Sequence, residues 1–180
     1  IGFNTSASLI INGKIVGAIE EERLNREKRT RKFPNYSIKY LLEKNNLNFK
    51  DIDDIGISWN PMLNLEKYQK NFHDTNRYIP EILFSTLANF SGLIKHGKDE
   101  DYLTQTVKIG NKKINIFFIK HHLCHASNFF FSGFNKGSIL TVDAFGEKQS
   151  TGMFYSDNKR IMKISSQDFP HSLGSFYSTF

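Results

Sequence analysis

The chain has 180 residues, with 24 Lys plus Arg against 18 Asp plus Glu, and one cysteine. This length suffices for one domain or slightly more, and 39% apolar and 14% aromatic residues argue against wholesale disorder. The lone Cys124 excludes a disulfide framework within the chain and a four-thiolate zinc site, and no apolar run reaches the ~20 residues of a membrane span.

The first predicted element is a β-hairpin. Residues 8–11 and 14–19 are rich in β-prone side chains. Asn12-Gly13 between them is typical of a type I′ turn, because that turn needs a positive φ at both central positions. Residues 1–3 are interpreted as the end of an earlier strand.

A helix and a strand are predicted next. Pro34 excludes helix before Asn35, which is the predicted N-cap. The apolar spacing over 36–44 predicts an amphipathic helix. Residues 55–59 predict a short buried strand, and the polar, Asn-rich range 60–104 is interpreted as a helical insertion.

A second strand pair follows the insertion. Residues 107–109 and 114–119 are β-prone on either side of Gly110-Asn111. A helix is predicted to start at His121 and to run to about residue 131.

The last third repeats the pattern of the first. Strands are predicted at 138–142, 151–155 and 160–164, with a helix after them. Both ends therefore show strand, polar loop, strand, turn, strand and helix, which predicts an α/β fold with a duplicated βββα unit. We expect residues 1–137 to form a first lobe and 138–180 to begin a second, incomplete one.

Two histidines form the sharpest candidate site. His121 and His125 are four residues apart, so on a helix their rings share one face about 6 Å apart. Asp143 ends the next strand, where open α/β sheets place ligands, and supplies a third candidate ligand. Two imidazoles and a carboxylate suit Fe(II), Mn(II) or Zn(II). His122 points away from this face and is interpreted as a supporting or substrate-binding group.

Two further segments have a functional and a structural interpretation each. Gly146 and Glu147 follow Asp143 as in a phosphate or metal loop, or as in an ordinary acidic turn. His171 and Ser172 begin a helix, where they could donate to a phosphate, while Ser172 could equally be an N-cap.

Arg23, Arg26 and Lys28 follow the acidic run Glu20 to Glu22. They form either a solvated, salt-bridged surface or an anion clamp. Much of the positive excess lies in a longer run of cations after these glutamates, namely Arg23, Arg26, Lys28, Arg29, Arg31 and Lys32, so we do not expect nucleic acid as a partner. The chain lacks nucleophile-elbow, Walker and G-x-G-x-x-G motifs, which disfavours hydrolase, P-loop and Rossmann classes.

Six segments taken in order resemble the O-carbamoyltransferase family, the nodulation-factor and antibiotic-tailoring enzymes. The resemblance spans nearly the whole chain outside 60–104. The segments are Ser6-Ala7-Ser8-Leu9 with Asn12 to Val16, Glu20 to Arg23 with Arg26 and Lys28, Phe33-Pro34, His121 to Ala126, Leu140 to Asp143 with Gly146-Glu147, and Phe169 to Gly174 with Tyr177.

The resemblance implies an actin/hexokinase/Hsp70-like, ribonuclease H-like fold, truncated in its second lobe. It also implies that the full-length protein moves a carbamoyl group from carbamoyl-adenylate, made from carbamoyl phosphate and ATP, to a hydroxyl of a small molecule or sugar. Iron, with zinc or manganese as alternatives, would be held by His121, His125 and Asp143, and by a further aspartate beyond residue 180. We expect a cytoplasmic location and an inactive isolated fragment.

The resemblance also implies roles for the remaining candidates. His122 or His171 would move the proton of the acceptor hydroxyl. Phosphate or acceptor would contact a larger set, namely Arg23, Arg26, Lys28, Gly146, Glu147 and Ser172.

The chain departs from the family at Phe3-Asn4, where many members carry His-Asp, and the change removes an ionisable pair from the first loop. Two alternatives stay open. One is a relative of the enzymes that make threonylcarbamoyl-adenosine in tRNA, and the other is an inactive binding module with the same fold.

Overall fold

The structure, a computed structural model, describes residues 4–59, 101–157 and 159–179, and these ranges form a mixed α/β protein with three sheets. The strands are β1 Ser6–Ile11, β2 Lys14–Glu20, β3 Asp54–Ile57, β4 Tyr102–Ile109, β5 Lys112–Ile119, β6 Gly137–Val142, β7 Gln149–Ser156 and β8 Ile161–Asp168. The helices are α1 Glu21–Asn25, α2 Asn35–Lys44, α3 His121–Ala126 and α4 Leu173–Tyr177, with 3-10 turns at Phe49–Asp51 and Ser127–Phe131. None of these helices has the length and apolarity needed to cross a membrane.

The predicted hairpin is confirmed. β1 and β2 pair antiparallel, and the turn between them has φ of 50° at Asn12 and 76° at Gly13. Leu9 pairs with Gly17 but Ile10 pairs with Ile15, so β2 carries an extra residue at this point. Such a bulge bends the hairpin and increases its twist.

Helix α2 packs on this hairpin as the apolar spacing predicts. Leu41 and Leu42 are buried with Leu9 in one hydrophobic cluster. The prediction of Asn35 as the N-cap is wrong, because the cap position is Pro34, which supplies no side-chain acceptor. The buried carboxylate of Glu21 accepts the N–H groups at this helix start instead.

The middle sheet has the order β3-β5-β4. β3 runs parallel to β5, and β4 runs antiparallel to it. Leu103 on β4 and Phe118 on β5 are buried in one hydrophobic cluster. β4 begins at Tyr102, inside the range expected for the helical insertion, and residues 60–100 of that range lie outside the described residues.

The third sheet is the antiparallel order β6-β7-β8, and α4 follows it. The three predicted strands are confirmed, and β7 and β8 are longer than the patterns indicated. Thr141 and Phe154 are buried on one face, whereas Leu140 and Met153 pair across the other face and are exposed. Residues 1–3, the predicted first strand of the first lobe, are not among the described residues.

Candidate metal centre

The two histidines lie on α3, which starts immediately after β5. The spacing of four residues brings the rings onto one face, with centroids 4.4 Å apart, closer than the predicted 6 Å, and planes at 86°. The Nε2 atoms of His121 and His125 are 3.0 Å apart. Both rings therefore direct the same nitrogen toward one point.

Asp143 follows β6 and completes this convergence. Its Oδ2 lies 2.8 Å from His121 Nε2 and 3.3 Å from His125 Nε2. Burial raises the pKa of the Asp143 carboxyl, but hydrogen bonds from His121, from the Ala144 N–H and from His125 outweigh burial and lower it. The group is thus held as a carboxylate beside two imidazoles.

The three groups fit a divalent metal ion. Their ligand atoms all lie within 4.8 Å of one another. Metal–ligand bonds of about 2.0–2.1 Å put neighbouring ligand atoms roughly 3 Å apart, which matches the spacing between these nitrogens and this oxygen. Two imidazoles and one carboxylate on one side of an ion are the donor set of non-haem Fe(II) sites, and Zn(II) or Mn(II) accept the same donors.

His122 occupies a different environment. Its ring is 1% exposed, with Nδ1 2.8 Å from Thr141 Oγ1 and Nε2 2.9 Å from the Gln149 carbonyl oxygen. Burial lowers its pKa, against the opposing effect of the Gln149 carbonyl. The carbonyl can only accept, so Nε2 carries the proton of a neutral ring, and the Thr141 hydroxyl beside Nδ1 also lies 3.3 Å from the Gly152 carbonyl oxygen. Movement of a substrate proton by His122 would require one of these bonds to break.

The loop after Asp143 is hydrogen-bonded to the start of α3. The Glu147 side chain is buried, and both its oxygens accept from the His121 N–H, at 3.0 and 3.2 Å. A Cβ on Gly146 would lie 3.1 Å from His122 Cδ2 and 3.2 Å from His121 Cβ, so glycine permits this close approach. A phosphate-binding role for Gly146 and Glu147 stays a prediction.

Ser172 and Gly174 both contact the same loop and so position α4 against it. The Ser172 hydroxyl accepts the Ser175 N–H and lies 2.7 Å from the Ala144 carbonyl oxygen, so Ser172 is the N-cap of α4. A Cβ on Gly174 would lie 2.3 Å from the Asp143 carbonyl carbon. The neighbouring His171 is exposed, which leaves its ring open to solvent beside this junction.

The basic candidates lie on α1 and the loop after it, next to the β1–β2 hairpin. Arg23 pairs with Glu20 at 3.5 Å, with both side chains largely exposed. Arg26 caps α1 with a φ of 62°, and Lys28 is exposed. Arg23, Arg26 and Lys28 are not among the convergent groups, which are His121, His125 and Asp143, and an anion-binding role for these cations stays a prediction.

The contact of Trp59 with the candidate metal centre was not predicted from the sequence. Its ring lies against His121 with centroids 5.6 Å apart at 65°. Trp59 follows β3 and His121 follows β5, and these strands are parallel, so their carboxyl ends meet at one edge of the sheet. That rule applied to β3 could have found the contact.

These features define a mixed α/β protein in which a strand end and a short helix assemble a two-histidine, one-carboxylate site. The family model for the carbamoyltransferase N-terminus matches residues 3–180. The chain therefore belongs to the carbamoyltransferase family, as its motifs indicated.

Three curated relatives are similar over nearly the whole chain. Nodulation protein NolNO of Sinorhizobium fredii is 30% identical, over 96% of this chain and 24% of that protein. The uncharacterized protein sll1178 of Synechocystis sp. is 29% identical, over 98% of this chain and 29% of that protein. The uncharacterized protein MJ1051 of Methanocaldococcus jannaschii is 24% identical, over 99% of this chain and 28% of that protein. The chain thus spans less than a third of the length of these relatives.

Proposed function

We propose that this chain is the N-terminal part of an O-carbamoyltransferase that moves a carbamoyl group from carbamoyl-adenylate to a hydroxyl of a small molecule or sugar. The observation that carries the proposal is the convergence of His121, His125 and Asp143 in a chain of the carbamoyltransferase family. One of the curated relatives is a nodulation protein.

The proposed architecture is the actin/hexokinase/Hsp70-like fold, with residues 1–137 in a first lobe and 138–180 beginning a second. Its support is the meander β6-β7-β8 followed by α4, which is the βββα unit expected at the start of the second lobe.

His121, His125 and Asp143 would hold iron, or zinc or manganese in its place. A bound divalent ion would supply Lewis-acid stabilisation of negative charge on the carbamoyl or phosphate oxygens. The chain's own contribution is to bring together three ligand atoms, two from α3 and one from the residue that follows β6.

The transfer itself needs a base for the acceptor. The acceptor oxygen forms a bond to the carbamoyl carbon, the bond from that carbon to the phosphate oxygen breaks, and AMP leaves with the electron pair. The exposed imidazole of His171 is proposed to take the hydroxyl proton, and the support is its position next to Ser172, which contacts the Asp143 loop. Arg23, Arg26 and Lys28 are proposed to bind phosphate or acceptor.

The test uses the full-length protein, carbamoyl phosphate, ATP and candidate hydroxyl acceptors. We expect bound metal by elemental analysis, ATP consumption that depends on carbamoyl phosphate, and a carbamoylated acceptor. His121→Ala should lose both metal and transfer, whereas His171→Ala should keep the metal and lose transfer. Metal-free wild type with no carbamoyl-phosphate-dependent turnover would contradict the proposal and favour a binding module.

The tRNA alternative is distinguished by salt dependence. A tRNA-modifying relative should bind tRNA with an affinity that falls steeply between low and physiological salt, because cationic side chains release counterions from phosphates. The hypothesis of a small-molecule or sugar acceptor predicts no such tRNA binding. Residues 1–180 expressed alone are proposed to show no transfer, since they span less than a third of the length of the curated relatives.

A further inference from the structure

A buried carboxylate lies behind the candidate metal centre. Glu147 is 4% exposed, and a glutamate is rarely this buried unless its side chain has bonding partners. Both of its oxygens approach one backbone group, the His121 N–H. The contact joins residues 26 positions apart and ends on a proposed metal ligand.

The surroundings of Glu147 hold it in place. The preceding Gly146 donates its N–H to the Gln149 carbonyl oxygen at 2.6 Å, which closes the loop tightly. Gln149 also accepts from the buried His122 ring, the neighbour of His121. The carboxylate, the loop and α3 therefore form one hydrogen-bonded unit.

We infer that Glu147 is a positioning residue for the metal centre: its carboxylate fixes the first residue of α3, and its negative charge stabilises a dication bound at His121, His125 and Asp143. This inference rests on the proposed metal centre. It gives Glu147 a role through His121 rather than the direct contact with phosphate that the sequence indicated. A buried negative charge beside the site favours a cation there and disfavours an anion.

The expected effect is on metal affinity. Groups that hydrogen-bond to metal-binding residues typically change affinity about 10- to 100-fold when they are replaced. Glu147→Gln keeps the size of the side chain and one oxygen acceptor for the His121 N–H but removes the charge. We therefore expect Co²⁺ to bind at least about 10-fold more weakly to this variant than to wild type.

The experiment measures Co²⁺ dissociation constants by chelator competition in the full-length protein, together with the visible Co²⁺ spectrum and the melting temperature without metal. Glu21→Gln is the matched control, because Glu21 is also a buried carboxylate that accepts backbone N–H groups at a helix start, but at α2. It should lower the melting temperature and leave Co²⁺ affinity unchanged. Glu147→Asp keeps the charge on a shorter side chain and should bind Co²⁺ with intermediate affinity.

Each result decides the inference. Equal Co²⁺ affinity and spectra in wild type and Glu147→Gln would overturn it while leaving the proposed function intact. A wild type that binds no Co²⁺ would overturn both. If Glu147→Gln does not fold, Glu147→Asp decides instead: weaker Co²⁺ binding than wild type supports the inference, and wild-type affinity overturns it.

Discussion

Glu21 shows how one buried carboxylate stabilises the N-terminal hairpin and α2. Its oxygens accept from the Tyr36 N–H at 3.1 Å, from the Ser37 N–H at 2.8 Å and from the Ser37 hydroxyl at 2.7 Å. We expect Glu21→Ala to lower the free energy of unfolding by about 2–4 kcal/mol, because it leaves buried donors without an acceptor. Urea denaturation measures this change.

Arg23→Ala is the control for that measurement. Its ion pair with Glu20 is 3.5 Å long and largely exposed, so its loss should change stability by less than about 1 kcal/mol. Equal effects of the two substitutions would show that Glu21 does not cap α2 in solution.

Cys124 gives a prediction about pH. Burial, and then the negative charge of Glu147, raise the pKa of its thiol to about 11. Only the thiolate reacts with iodoacetamide, so at pH 8 about one Cys124 side chain in a thousand is reactive, against roughly a quarter of thiols with the ordinary pKa of ≈ 8.5. The reaction rate should rise with pH toward about 11.

Mass spectrometry of the peptide that contains Cys124 measures this rate, in a chelator so that no metal contributes. The same rate is measured for the protein unfolded in urea, where Cys124 should react with the pH dependence of an ordinary thiol. A rate in the folded protein that levels off below pH 9 would contradict the assignment.

The elements show what local sequence could and could not indicate. Asn12-Gly13 and the four-residue spacing of His121 and His125 are local signals, and both give the structure that they predict. The cap of α2 was not predictable in this way, because Glu21 is 15 residues from Tyr36. The contact of Glu147 with the His121 N–H likewise depends on a backbone approach across the fold that no spacing rule describes.

The docking of α4 on the loop after β6 rests on Gly174. A methyl group there would lie 2.3 Å from the Asp143 carbonyl carbon and 2.5 Å from the Ala144 nitrogen, and backbone atoms cannot move aside as a flexible side chain can. We expect Gly174→Ala to destabilise the protein by about 1–3 kcal/mol. It should also weaken metal binding, because Asp143 moves with the loop.

Gly56→Ala is the matched control for Gly174→Ala. A Cβ at Gly56, in β3, meets no atom of the described residues within 4 Å, so stability should change by less than about 0.5 kcal/mol. Thermal denaturation and Co²⁺ titration of both variants test the pair. Wild-type behaviour of Gly174→Ala would mean that α4 does not lie against Asp143.

At the scale of the whole molecule, the third sheet leaves one apolar face open in the described structure. Leu140, Val142, Met153 and Met162 share this face and are 63%, 46%, 45% and 37% exposed. Apolar patches of this kind mark surfaces that other protein segments cover. We expect residues 1–180 expressed alone to self-associate and to bind a hydrophobic dye.

Light scattering and dye fluorescence measure that association. The double substitution Leu140→Lys and Met153→Lys should reduce both, because it places charges on paired positions of the exposed face. The full-length protein serves as the comparison and should bind less dye per molecule. If residues 1–180 of wild-type sequence are monomeric and bind no hydrophobic dye, the prediction is contradicted.

The candidate metal centre has a consequence for the order of assembly during synthesis. Its ligands His121, His125 and Asp143, and the residues that fasten them up to Gly174, come from one continuous stretch of the chain. Ribosomes add about 5–20 residues per second, so this stretch is completed within roughly 3–10 s. The geometry of these three ligands can therefore close as soon as this stretch has been made, and a metal ion can reach them from that moment.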